Sequence, residues 1–358
     1  MFLSKLYERY LARTILSTTS LTLLALVGLL IVFKFIDESE DLNTGNYRLM
    51  DALWVALLSA PHYLLEAFPM AALLGGLLGL GGLASRSELV ALRAAGISVK
   101  QILLAVIQTG LLLALCVIIC SEWLAPYTEQ QAQQWRLVRQ QGTVTHQTDE
   151  GLWARDGNTF IHIAQVHTST QLSNVTSYIL DENNQLRTQQ QAASAYYRNG
   201  HWQLQNITHT HILPDNNQIR TEQQDHARWD TLLNPALLAV IITDPALLTL
   251  PELHQTIRYL QDNGQNALTY QLAYWHKIIN PVTTLLMLLL ALPFVLSQPQ
   301  RGTGQRMMLG VLIGASYFLL SRGLSYAAVA YALNPLLVIF IPVLFCLASI
   351  GYLLQRVR

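Results

Sequence analysis

The sequence predicts a polytopic α-helical membrane protein of six transmembrane helices, with an antiparallel β-domain inserted after the third. Three observations lead there. Hydrophobic residues make up 52% of the chain and charged ones 12%, about half the charge of an average soluble domain. The apolar residues collect at the two ends of the chain, in uncharged runs long enough to cross a hydrocarbon core of roughly 30 Å at about 1.5 Å per residue. Between them, residues 143–230 break into short alternating runs separated by turn residues, the pattern of antiparallel strands.

Taken in order, residues 1–125 hold spans one to three, 126–142 a stalk, 143–248 the β-domain, 249–273 a connecting helix and loop, and 274–358 spans four to six. Residues 14–33 carry no charge and follow Lys5, Arg9 and Arg13. The run is too long for a signal-peptide core, and no small-x-small site follows it, so it reads as an uncleaved first span. The second span crosses at about residues 63–84, with Pro61 and Pro69 bending or breaking its approach. Its glycines, Gly75, Gly76, Gly79, Gly81 and Gly82, permit close helix approach. That spacing suits packing inside one subunit and a sliding face against a partner equally well.

A short charged helix follows at residues 85–97. Ser85 and Glu88 have capping-box spacing, Arg93 suits the negative C-terminal end, and Gly96 suits a left-handed stop. Residues 101–121 form the third span, and EWLAPYTEQQAQQWRLVRQQG a polar helical stalk bent at Pro126. In the insert, Asp156-Gly157-Asn158 and Asn199-Gly200 are hairpin signals, and the even spacing argues for a sandwich or jelly-roll type domain. A helix near residues 250–261 leads back to span four, residues 274–296, which contains Pro281 and Pro293. Span five begins near Met307, and because residues 323–355 are too long for one crossing, Asn334-Pro335 marks a turn into span six.

Basic residues of the short loops fix the orientation. Lys5, Arg9, Arg13, Arg86, Arg93, Lys100, Arg301, Arg306, Arg356 and Arg358 fall on one side, while the loop at 36–51 is mostly acidic. The basic side is cytoplasmic by the positive-inside rule, which puts both termini and the short helix in the cytoplasm and the β-domain across the membrane.

The formal net charge is zero, so no overall basic field argues for nucleic acid, and no nucleic-acid motif is present. Cys116, Cys120 and Cys346 all lie in apolar runs, so disulfides do not hold the fold. No G-x-S-x-G, no H-E-x-x-H and no organised Ser, His and Asp set supports catalysis. GTGQR lacks the Lys-Ser/Thr ending of a P-loop, so any ATP used is bound by another chain. The insert's His162, His167, His201, His209 and His211 lack the further converging ligands of a metal site, and the Thr-His alternation fits a solvated strand face.

Counting along the spans aligns three cations. Lys34 lies 21 residues beyond Arg13, Arg322 lies 16 beyond Arg306, and Lys277 lies 21 before Gln298. Those separations are heights of roughly 24 to 32 Å at helical rise, near the outer headgroups. Snorkelling at the interface accounts for Lys34 and Lys277; a cationic rim for an anionic headgroup is the other reading, and it suits Arg322 best. Glu66 stands at a similar height and is a candidate partner for one of them. The short helix likewise has two readings, a surface helix lying on the bilayer through Leu89, Val90 and Leu92, or a coupling helix offering Arg86, Glu88 and Arg93 to an ATPase.

FPMAALLGGLLGLGGLASRSELVALRAAG, the KFID ending span one, GLWARDGNTFIHI and YQLAYWHKIINPVTTLLMLLLALPF resemble the LptG-type permeases of the YjgP/YjgQ family, subunits of the lipopolysaccharide export ABC transporter. The resemblance extends over essentially the whole chain. It implies a permease of the Gram-negative inner membrane that draws lipopolysaccharide from the outer leaflet and passes it to a periplasmic bridge toward the outer membrane. It also implies a periplasmic β-jellyroll, an LptF-like second permease, an LptB-like ATPase dimer, and LptC-like and LptA-like jellyroll proteins. Lys34 matches a family lysine at the cavity entrance, Arg136 a basic position associated with lipopolysaccharide, and Glu88 the coupling-helix glutamate. One departure is that Glu38, Ser39, Glu40 and Asp41 stand where the family carries a lysine pair, which shifts weight to Lys34 and Arg322. Permeases of other lipid or lipoprotein systems, and a scaffold that transports nothing, are the competing classes.

Overall fold

The computed structural model describes residues 2–42, 46–139, 151–156, 158–168, 170–181, 185–198, 200–213, 218–229, 231, 235, 238, 245–297 and 303–355. Its helices are α1 (Phe2–Ser39), α2 (Leu49–Leu58), α3 (Ala60–Ser85), α4 (Glu88–Ala94), α5 (Val99–Ile119), α6 (Ala125–Arg139), α7 (Leu250–Asp262), α8 (Leu268–Ser297), α9 (Thr303–Tyr331) and α10 (Pro335–Gln355). Six segments, built on α1, α3, α5 with α6, α8, α9 and α10, are long and apolar enough to span a membrane. Contacts divide the chain into a helical unit (residues 1–42, 48–133 and 268–358) and a second unit (43–47 and 134–267) that carries the sheet.

The chain breaks at Pro61 and at Asn334-Pro335 but stays helical through Pro69 and Pro126. Pro61 sits in the first turn of α3, where its missing N–H costs nothing, so α2 ends and α3 starts anew around Ser59. Pro126 follows a five-residue π-helical turn, Cys120–Leu124, which joins α5 to α6 without a break. A widened turn suits the spot, because the proline ring would crowd the carbonyl of residue 122 in a regular helix. Asn334 and Pro335 do separate α9 from α10: the Asn334 side chain accepts from the Leu336 amide (3.0 Å).

The capping box expected at Ser85 and Glu88 does not form. Ser85 is the last residue of α3 and its hydroxyl donates to the Gly82 carbonyl (2.8 Å), while Ser87, in a left-handed conformation at φ 61°, precedes α4. Covalent continuity with α3 left no room for an extended N-cap at Ser85. The end of α4 does follow the expectation: Gly96 has φ 91°, its amide bonds the Arg93 carbonyl (3.0 Å), and Ile97 N–H bonds Leu92 (3.1 Å), a Schellman closure. The box with full geometry lies one helix on, between Ser98 and Gln101 at the start of α5.

α3 and α8 are the interior of the helical unit, and their apolar side chains dominate its core, among them Leu73, Leu77, Leu80, Leu286, Met287, Leu288 and Leu292. The α3 glycines show why. A Cβ on Gly75 would strike the Thr19 backbone of α1, one on Gly79 would meet the Thr18 hydroxyl, and one on Gly76 would press on Leu288 and Ala291 of α8. Those three glycines therefore serve packing within this chain, and Thr18 uses the close approach to donate to the Gly75 carbonyl (2.8 Å). Gly310 and Gly314 of α9 seat against Leu74, Leu77 and Met70 of α3 in the same way. The pairings run antiparallel for α1 with α3 and α9 with α3. Lys277 of α8 meets Glu122, and Gly110 of α5 meets Leu285, so those segments also run antiparallel.

The insert is one six-stranded antiparallel sheet in which neighbours in sequence are neighbours in space: β1 (Leu152–Asp156), β2 (Thr159–Thr168), β3 (Gln171–Leu180), β4 (Leu186–Arg198), β5 (His201–Leu213) and β6 (Gln218–Trp229). Its buried face does not alternate simply. Ile163 and Val166, Leu172 and Val175, Ala192 and Ala195, and Leu204 and Ile207 are all buried at a spacing of three. The register aligns these steps across the sheet, with Ile163 opposite Val175, Ala192 opposite Ile207 and Ala195 opposite Leu204. Asn174 and Asn206, both at φ 52°, sit at the step and turn the chain there, a conformation that Asn tolerates better than most residues. The shift keeps both halves of each strand on one core, closed by Trp202 and Leu238.

Candidate functional site

Because α1, α5 and α9 run against α3 and α8, the end of α1, the start of α3, the π turn after α5, the first half of α8 and the second half of α9 share one end of the bundle. Lys34, Lys277 and Arg322 all lie at this end, and each meets a carboxylate. Lys34 Nζ is 2.8 Å from Glu38 Oε1 and 3.5 Å from Asp37 Oδ2, one helical turn ahead. Glu38 is buried, so one carboxylate of the acidic segment that replaces the expected lysines turns inward onto Lys34, while Glu40 is exposed. Lys277 of α8 lies 3.2 Å from Glu122 of the π turn, its side chain only 9% exposed. π turns re-aim side chains within a helix, and this one carries a carboxylate to α8.

Arg322 of α9 pairs with Glu66 of α3, its guanidinium 5.5 Å from the Phe318 ring centre. Side chains on a helix cover the turn before their own Cα, so the arginine reaches back along α9 over Phe318 toward Glu66. This is the most open of the three pairs, with 50% of the Arg322 side chain and 28% of Glu66 exposed. Next to it, His276 and Ser325 are joined at 2.9 Å and Thr283 and Tyr317 at 3.3 Å, so polar contacts bind this half of α9 to α8. Guanidinium and ammonium groups at a helix-bundle end can bind phosphate or carboxylate, and here carboxylates of the chain already hold them.

At the opposite end stands the short helix α4. Leu89 is buried and Leu92 and Ile97 pack on the core, which pins the helix, whereas Val90 and Arg93 face outward. The Tyr10 hydroxyl of α1 donates to Glu88 Oε2 at 2.6 Å, and Arg86 Nη1 lies 4.0 Å from Glu88 Oε1. Of the residues named for coupling, the structure thus joins Arg86 and Glu88 and leaves Arg93 apart. Sequence reading missed Tyr10, since nothing in a span's composition marks one tyrosine as a partner 78 positions away. Glu38 was legible, one turn beyond Lys34; Glu122 was not, because its direction depends on the π turn.

Arg136 belongs to the second unit, on α6, half-buried; one turn on, Arg139 lies 5.0 Å from the Trp135 ring centre. His209 and His211 do share a strand face, with parallel rings 6.2 Å apart, and His211 Nδ1 meets the Thr188 hydroxyl at 3.1 Å. Among the described residues no three His, Cys, Asp or Glu side chains converge as a metal site.

Comparison with known proteins agrees with this architecture from end to end. The family profile described as lipopolysaccharide export system permease LptF/LptG matches residues 9–356. Lipopolysaccharide export system permease protein LptG of Escherichia coli K12 is 35% identical over 354 residues, 98% of each chain. Its namesake from Haemophilus influenzae is 33% identical over 354 residues, again 98% of each. With six membrane helices, the sheet inserted after the third, and similarity unbroken across both halves, the chain belongs to the LptF/LptG family of lipopolysaccharide export system permeases.

Proposed function

We propose that this chain is a permease subunit of an ABC transporter that extracts lipopolysaccharide from the outer leaflet of the bacterial inner membrane and passes it to a periplasmic bridge toward the outer membrane. The observation that carries the reading is the family match over residues 9–356, joined by relatives that bear that activity in their names across 98% of their length. In this reading both termini and α4 are cytoplasmic and the sheet is periplasmic, as the basic loop residues favour. Lys34, Lys277 and Arg322 attract the phosphates of the glycolipid, and Arg136 contacts it on the way to the β-domain. Arg86, Glu88 and Arg93 receive force from an LptB-like ATPase dimer, which binds and hydrolyses the ATP. An LptF-like permease completes the cavity, and LptC-like and LptA-like proteins continue the bridge.

The chemistry supports this division of labour. The chain has no phosphate-binding P-loop, so energy must enter through contact, and α4 is a short, firmly seated lever joined through Tyr10 to α1. The test is purification of the complex from detergent, with identification of bound lipid and ATPase, followed by photocrosslinking of lipopolysaccharide from a position beside Lys34. Lys34→Ala with Arg322→Ala should lower crosslinking more than either change alone, because each removes a separate phosphate contact. Unchanged crosslinking in the double variant refutes the cationic site, and a different cargo accumulating on depletion refutes the export reading.

A further inference from the structure

The geometry points to Glu66 as a built-in competitor of the substrate: we propose that its carboxylate occupies the Arg322 guanidinium at rest, and that a lipid phosphate must displace it to be captured. The inference rests on the reading of Arg322 as a substrate contact and adds the residue that sets how readily that contact is made. Carboxylate and phosphate bind the same guanidinium fork, so one excludes the other. The three cations differ in how their partners are placed. Lys34 is paired along its own helix, and Lys277 is largely enclosed with Glu122. Arg322 and Glu66 come from two different helices and face outward, so an incoming anion can exchange with the carboxylate there.

Packing makes the exchange mechanically possible. α9 is locked onto α3 where Gly310 and Gly314 admit Leu74, Leu77 and Met70, but a Cβ on Gly323 would meet nothing within 4 Å. Near Arg322 the exposed Gly323 makes no close contact, and the His276–Ser325 and Thr283–Tyr317 pairs tie this half of α9 to α8. Phe318 stays under the guanidinium whichever anion is bound, which keeps the arginine aimed while its partner changes. A doubly charged phosphate outbids a single carboxylate in Coulomb terms, whereas a neutral headgroup cannot. Glu66 thereby acts as a threshold that favours phosphorylated lipids over zwitterionic and neutral ones.

The test uses the full transporter complex in nanodiscs with a photocrosslinking residue near position 322, titrated with lipopolysaccharide, with its dephosphorylated form and with inorganic phosphate as competitor. Glu66→Gln should raise capture at limiting lipopolysaccharide by roughly threefold or more, as removal of a self-competing state raises apparent affinity. The gain should be absent for the dephosphorylated lipid and vanish when Arg322→Ala is added. Glu66→Asp keeps the charge but draws the carboxylate back by one methylene, and should raise capture by less than Glu66→Gln does. Lower or equal capture by Glu66→Gln at unchanged thermal stability overturns the proposal and leaves Glu66 a tether. Should Glu66→Gln fail to assemble, capture by Glu66→Asp no higher than that of the unmodified chain does the same. Protection by inorganic phosphate as strong as by the lipid shows a free-anion site and also overturns it. If Arg322→Ala alone leaves capture unchanged, the underlying reading of Arg322 fails instead.

Discussion

Tyr10 and Glu88 show what a single hydrogen bond can add at the residue scale. A short phenol-to-carboxylate bond of 2.6 Å fixes the rotamer of Glu88 and ties α4 to α1, the helix that carries Lys34 in its last turns. Tyr10→Phe keeps the ring and loses only this bond. We expect ATP hydrolysis coupled to lipid release to fall about two- to tenfold, in line with one charge-assisted hydrogen bond, while lipid capture and thermal stability stay unchanged. Equal losses in capture would assign Tyr10 to packing instead. At this scale the sequence placed the cations well, since helical rise alone brings Lys34, Lys277 and Arg322 to one height. It could not supply the partner of Lys277, since Glu122 depends on a π turn, nor the Tyr10 partner of Glu88, a contact 78 residues distant. Glu38 was legible one turn beyond Lys34, and Glu66 at a matching height, though its choice of Arg322 was settled by the antiparallel run of α9 on α3.

Elements follow the sequence more closely, because their boundaries answer to local chemistry. The hairpin signals, the Gly96 stop and the Asn334-Pro335 turn all act within a few residues. The Ser85–Glu88 box failed because a capping motif needs an extended residue before the helix, and α3 continues as helix through Ser85. The glycines of α3 give the sharpest test. Gly75→Ala should cost about 1–3 kcal/mol, the range for overpacking, because the new methyl meets the backbone of Thr19 and no rotamer can relieve it. Gly82→Ala meets nothing within 4 Å and should be neutral or stabilising by up to about 1 kcal/mol through helix propensity. Thermal midpoints of the two purified variants decide the matter, and a similar loss in both would show that α3 is held by something other than close packing on α1.

The whole molecule combines two units built on different periodicities, a helix bundle around α3 and α8 and a sheet whose inward face shifts parity along one row. Its topology is testable directly. A reporter active only in the cytoplasm should be active when fused after Arg358, and the 143–248 insert should be open to protease from the opposite side; the reverse result overturns the assigned orientation. By itself the sequence determined the membrane class, the number of spans and the strand-bearing insert, because hydropathy and turn chemistry are properties of short windows. Tertiary structure alone decided that Gly75, Gly76 and Gly79 serve packing within the chain, that the sheet keeps one core across its parity shift, and that Lys34, Lys277 and Arg322 each have a carboxylate against them. Those outcomes depend on which helix faces lie together, and facing is set by packing between segments far apart in sequence.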